Sequence, residues 1–436
     1  MSEAVLGGSA ITYAPPKARE AVGEPPGPVR PKERIQLIDV LRGFALFGIL
    51  QVNWPDWQGS LGRVLDFLVD DKMRTIYSLL FGIGFGIQLI RAQEKGRPFL
   101  VRYAWRALLL LVIGSVHFVF IWWGDIVREY ALMSFMLLLF APARSWVILV
   151  AAALSLALDV TPDLPGRRDR PFFTRPNAEL ATRAQAAQVQ ASEQSAIHAA
   201  MANSGDNGEG YGGVVRGRWF QLREQLTQRS IFLFANDLQL FSLFLLGLFV
   251  AKKRILHEPE RHRRLLQSTL IVGLSIGLFA NLFNAFGDII ESRQVPLLSS
   301  IPMDGIGGNI AYEVGNYFLA MGYVAGVTLL VLRFDRVRSL AASSLAVVGR
   351  MGLTNYLMQS VILTMLLYGR GLGLGEHLPT WWRQLVLNLV FLVQIAYSRW
   401  WFERFQYGPV EWAWRSLTWF RLQPMKMADA RKEVTA

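Results

Sequence analysis

About ten apolar runs, most of them long enough to cross the hydrocarbon core of a bilayer, divide this sequence and leave it few folds to choose from. Along the chain they fall at 35–53, 73–90, 107–123, 126–142 and 146–160. After a long interruption they resume at 231–251, 266–290, 312–332, 351–368 and 384–402. Runs of this length, separated by short charged segments, specify an all-α, polytopic transmembrane helical bundle of about ten spans. Composition agrees: 52% of the residues are hydrophobic and only 18% charged, against roughly a quarter charged in an ordinary soluble domain.

Charge sets the orientation. Arg91, Lys95, Arg97, Arg102 and Arg106 follow the second run against one acid, Glu94. Lys252, Lys253, Arg254, Arg261, Arg263 and Arg264 follow the sixth, and Arg333, Arg336 and Arg338 the eighth. Arg399, Arg404, Arg415 and Arg421 end or follow the tenth. All of these ends lie on one side if every run is a span, and the intervening segments 54–72 and 291–311 are poorer in Lys and Arg. Cytoplasmic loops concentrate these residues, so both termini are expected in the cytoplasm. The net charge of +12 then reflects membrane orientation, and nucleic-acid binding is not expected.

The organisation that follows has five parts. Residues 1–34, rich in Pro, Gly and Ala, read as a disordered cytoplasmic tail without the apolar core of a signal peptide. Residues 35–160 form an N-terminal transmembrane half, and 161–230 an extracytoplasmic loop. Within that loop, helix formers at 178–202 precede the Gly-rich stretch 205–213, so a short helix or two lying over the membrane domain is expected, a solvated connector being the alternative. Residues 231–420 make the C-terminal half, ending in an aromatic-rich interfacial helix, and 421–436 a tail. There is no cysteine, and the five histidines form no ligand cluster, so no metal is expected.

Ionisable and amide groups within spans are costly, and they mark candidate sites. In the first run Asp39 and Arg42 are three residues apart and can pair, while Asn53, eleven residues beyond Arg42, returns to the same helical face. His117 lies inside the third run, and Asp125 just past a Trp-Trp-Gly turn. A tight hairpin would bring the carboxylate to the imidazole and set its tautomer. The ninth run opens with Arg350, Asn355, Tyr356 and Gln359, a polar strip suited to a substrate or to interhelical packing. Glu411 and Arg415, four apart, suit a helical salt bridge. Gly82 and Gly86 suit close helix packing, not a dinucleotide fingerprint.

These residues resemble the YeiB-like bacterial inner-membrane family, whose defining region is called domain of unknown function 418. The matching elements are Arg34, Asp39, Arg42, Gly43 and Asn53; the K-x-R-T-x-x-S-x-L-F-G-x-G-F segment from Lys72 to Phe85; and Gly114, His117, Gly124, Asp125 and Tyr130. The segments GRMGLTNYLMQS and YGPVEWAWRSLT complete the pattern, from which Arg128 and Glu129 depart by being more polar. The opening motif is similar to that of transmembrane acyltransferases such as the heparan-glucosaminide acetyltransferase group. The resemblance implies a multi-pass protein of the bacterial inner membrane, among membrane lipids. It also implies acyl-coenzyme A as donor substrate and a small-molecule or glycan acceptor. On that reading His117 is the general base, Asp125 orients it, and Asp39, Arg42, Asn53, Arg350, Asn355, Tyr356 and Gln359 bind substrate. A transporter or flippase-like protein whose solute path is lined by the same groups is the alternative.

Overall fold

The structure, a computed structural model, describes residues 35–53, 64–65, 67–159, 210–228, 238–292, 306–367, 372–374 and 378–427. The helices of the first half are α1 (Gln36–Val52), α2 (Lys72–Glu94), α3 (Leu100–Val116), α4 (Val127–Leu139) and α5 (Ser145–Asp159). Then come α6 (Gly210–Gln228), α7 (Leu238–Lys252), α8 (Arg263–Ser292) and α9 (Ile306–Arg333). The last are α10 (Asp335–Ser343), α11 (Leu345–Arg350), α12 (Gly352–Leu367), α13 (Thr380–Phe402) and α14 (Pro409–Trp419). A π-helical turn, His117–Ile121, prolongs α3. The described residues contain one isolated β-bridge, Phe405 with Lys426, and no strand.

Each apolar run of the sequence contributes a helix. Five helical stretches are long and apolar enough to cross a bilayer: Lys72–Glu94, Leu100–Ile121, Arg263–Leu282, Ala311–Arg333 and Trp381–Phe402. The other runs give shorter helices, down to the 13 residues of α4, which at about 1.5 Å per residue cover less than the roughly 30 Å hydrocarbon core. Where the long helices face outward they are apolar. Leu385, Leu389 and Leu392 line one exposed stripe of α13, and Ile271 and Phe279 stand 66% and 68% exposed on α8. Water would not tolerate such stripes on a monomer, whereas lipid solvates them. The chain is an integral membrane protein.

Two apolar cores hold the bundle. One, around Leu41, Leu46, Ile76 and Leu80, joins α1 and α2 to α9, α11 and α12. The other, around Phe85, Tyr130, Leu137 and Phe244, joins α2 to α4 and α7. Helix α2 belongs to both, and its glycines show why it can. A Cβ on Gly82 would stand 2.2 Å from the Phe244 carbonyl oxygen, and one on Gly86 2.5 Å from the Ala251 Cβ, so this face takes α7 at close range. Gly84, on another face, gives room to Arg42 instead.

In the long loop the stretch 178–202 lies outside the described residues, while the end of the Gly-rich stretch opens α6. Tertiary burial outweighs propensity here, because Leu222 and Val215 of α6 pack on Phe118, Val119 and Trp123.

Candidate functional site

His117 and Asp125 stand eight positions apart, too few to separate two helices, so α3 and α4 must fold back on one another at once. Gly114 lets them close. A Cβ there would lie 2.4 Å from the Arg128 amide nitrogen and 2.9 Å from Asp125 Oδ2. With the hairpin shut, His117 Nδ1 is 2.8 Å from Asp125 Oδ1, both side chains almost wholly buried. The second carboxylate oxygen accepts the Arg128 backbone N–H at 2.8 Å. Arg128 turns inward with its guanidinium 4.5 Å from the Phe118 ring centroid, so this polar departure from the family pattern is not presented to lipid.

A carboxylate only accepts, so Nδ1 carries a proton, and in the neutral imidazole Nε2 then keeps its lone pair. Nε2 is buried and has no hydrogen-bond partner among the described residues. Buried polar atoms rarely go unsatisfied without a functional reason or a bound water. An imidazole whose far nitrogen is held by a carboxylate and whose near nitrogen is open is arranged to accept a proton.

Tyr356 completes the arrangement. Its ring centroid is 5.6 Å from that of His117. Its hydroxyl donates to the Gly124 carbonyl at 3.3 Å and accepts the Ile126 N–H at 3.4 Å, clasping the turn that carries Asp125.

The remaining sequence candidates fall into other groups. Arg42 Nη1 donates to the buried Asp39 at 3.3 Å, and α11 presses on this pair closely enough that a Cβ on Gly349 would meet the Asp39 carbonyl at 2.0 Å. Asn53 caps the other end of α1, about 16 Å along the axis from Arg42 by helical rise. Asn53 and Arg42 therefore share a helical face at different depths. Arg350 donates to the Gln406 carbonyl at 3.1 Å and lies over Phe402. Asn355 donates to Val348 O at 3.0 Å and to Ser398 Oγ at 3.2 Å, and Gln359 donates to Gln394 at 2.9 Å. These amides face α13, one helical step around from Tyr356. Glu411 accepts the Leu353 and Thr354 N–H groups at 2.8 and 3.1 Å, capping α12.

Sequence reasoning missed a second buried polar network. Arg74 donates to Asp71 at 2.9 Å and to Gln239 at 3.0 Å; Gln239 also bonds Glu313, and Tyr312 bonds Asp71. Tyr317 donates to the Gln239 carbonyl at 2.8 Å, and Asp159 accepts the Gln239 N–H at 3.2 Å. Asp71 sits in the left-handed region at φ 55°. The only signal was charge at a span's start, in Lys72 and Arg74, and within one, in Glu313. Among the described residues, no group of three or more His, Asp or Glu side chains is placed to hold a metal ion.

A family model described as "Protein of unknown function (DUF418)" matches residues 250–421. YxaH of Bacillus subtilis (strain 168), described as an uncharacterized protein, is 34% identical over 424 residues, covering 91% of this chain and 97% of its own. YeiB of Escherichia coli (strain K12), also described as uncharacterized, is 27% identical over 419 residues, covering 88% and 96%.

Proposed function

The chain belongs to the DUF418 family with YxaH and YeiB, and from that premise we propose that it is a membrane-embedded, acyltransferase-like enzyme. The observation that carries this reading is the buried His117–Asp125 pair with its open Nε2. In the proposed reaction the acceptor is a small molecule or glycan bearing a hydroxyl or amine. Nε2 of His117 takes the acceptor's proton as its oxygen or nitrogen attacks the carbonyl carbon of a coenzyme A thioester. The new acyl bond forms, the C–S bond breaks, and the departing thiolate receives the proton from the imidazolium. Asp125 holds the tautomer and offsets the imidazolium charge. Arg42, held by Asp39, binds an anionic part of the donor, and Asn53 and Tyr356 meet the acceptor or the acyl group. Arg350, Asn355 and Gln359 act from the neighbouring face of α12 and its approach.

The arrangement in the membrane is part of the same proposal. Ten spans place both termini and the basic loops in the cytoplasm of a bacterial inner-membrane protein, with 161–230 outside. Of the short helices, α1 and α7 cross where the bundle itself surrounds them, whereas α5 turns Leu149, Val150, Leu154 and Leu158 outward to lipid.

The test is His117→Gln, which keeps a hydrogen-bonding side chain but no basic nitrogen. Loss of coenzyme A thioester turnover by a hundredfold or more, with thermal stability near wild type, is expected. Normal turnover by this variant, or a wild type that turns over no thioester, overturns the reading in favour of a solute path lined by the same groups.

A further inference from the structure

Arg106 was expected from sequence only as one of the charges that orient the second loop. The structure gives it company. Arg42 of α1 and Arg415 of α14 both lie within electrostatic range of its guanidinium. Arg106 stacks over Trp414 at 3.7 Å from the ring centroid, and the Trp414 indole donates to the Arg106 carbonyl at 3.0 Å, so α14 is clasped to α3 at this point. Among the described residues no carboxylate pairs with Arg106. Arg42 is 30% exposed and rests at Gly84, where an added Cβ would stand 3.2 Å from its Nη2.

Arg42 is balanced in part by Asp39, and an anion entering among the three guanidiniums would offset the repulsion that remains between them. Guanidinium forks match phosphate oxygens in geometry and charge. Depth matters as well. Arg42 and Arg106 each stand six residues into their helices, about 9 Å from the helix starts, which is deeper than a purely surface basic patch. Register then links this place to the histidine. His117 follows Arg106 by eleven residues, three helical turns to within about 20°, so both project from one face of α3 some 16 Å apart. An extended thioester arm of a dozen or so bonds spans that distance.

We propose that Arg42, Arg106 and Arg415 form a binding site for the diphosphate group of a soluble thioester donor, whose arm runs along α3 to His117. The site deepens the acyltransferase reading and rests on it for the identity of the ligand.

Calorimetry on the full chain, purified in neutral detergent, tests the proposal with coenzyme A and inorganic diphosphate as probes. Both should bind, with affinity that falls as salt rises. Arg106→Gln should weaken both at least tenfold and Arg106→Lys less, because lysine keeps the charge without the fork. Arg415→Gln, on the peripheral α14, should weaken both without touching the bundle interior and serves if Arg106→Gln does not fold. His117→Gln should bind as wild type does. Folded Arg106→Gln and Arg415→Gln proteins with wild-type affinity overturn the site. So does a wild type that binds neither probe but captures phosphatidylglycerol from vesicles through the same arginines, since a lipid headgroup is then the ligand. The two readings fail separately. Probe binding lost in the arginine variants, with no turnover in wild type, removes the acyl transfer and leaves the diphosphate site. Turnover with an unchanged KM in the arginine variants does the reverse.

Discussion

Adding one methyl group at Gly114 is the sharpest test of how the His117–Asp125 pair is held. A Cβ there would lie 2.4 Å from the Arg128 amide nitrogen, and ordinary contact begins at 3.4 Å, so α3 and α4 must separate by 3.4 − 2.4, or 1.0 Å. Overpacking of that kind costs about 1–3 kcal/mol, and alanine returns about 1 kcal/mol of helix propensity. Packing alone therefore leaves a deficit of at most ~2 kcal/mol. The hydrogen bond decides the rest. A separation of that size stretches the 2.8 Å contact to about 3.8 Å, beyond any useful hydrogen bond, and forfeits a further ~1.5–3 kcal/mol because one partner is charged.

Gly114→Ala should thus lose about 1.5–5 kcal/mol in denaturant unfolding, together with most thioester turnover. Gly217→Ala is the control. No atom lies within 4 Å of a Cβ at that position of α6, so it should be neutral or slightly stabilising. If Gly114→Ala unfolds within ~0.5 kcal/mol of wild type and keeps its turnover, the hairpin is not what positions Asp125.

Two further outcomes follow from the fold. Arg74→Gln strands Asp71 within the second network, and breaking a buried pair costs about 3–5 kcal/mol; the lower end is expected because Tyr312 also serves Asp71. Unfolding measured against wild type decides it, and a loss under ~1 kcal/mol would show that the pair is solvated. For the topology, a reporter active only in the cytoplasm should work at the C-terminus and stay silent when inserted at 185. Activity at 185 refutes the count of five spans before that loop, on which the orientation depends.

What the sequence disclosed depended on the range over which each signal acts. Helices were legible because apolar runs are local, although composition could not show that α4 stops after 13 residues. Asp39 with Arg42 and His117 with Asp125 were legible because three residues of helix and one short turn fix their approach. For Asn53 the helical period gave the face shared with Arg42 but is silent on depth, about 16 Å further along α1. Glu411 was legible only as a helical neighbour of Arg415; the bare N–H groups opening α12, which also reach the carboxylate, lie 57 and 58 residues away. The network around Gln239 joins residues 165 and 74 positions apart, and no local pattern encodes such contacts.

The contrast between two sets of buried polar contacts bears on which of them serves chemistry. Asn355 with Ser398, and Gln359 with Gln394, join regular stretches of α12 and α13, as interhelical hydrogen bonds in membranes commonly do. The histidine pair is built differently. A π-helical turn begins at His117 itself, a feature that costs regular hydrogen bonding and recurs at functional sites. Gly114 gives up side-chain packing to bring Asp125 within reach. Tyr356 commits its hydroxyl to the Gly124–Ile126 turn instead of to another helix. A polar contact that served only to hold α3 against α4 would need none of these, since two ordinary side chains at the interface would do. All three act to place one imidazole with its Nε2 open in a buried interior, and that open nitrogen is the part of the arrangement that mere adhesion leaves unexplained.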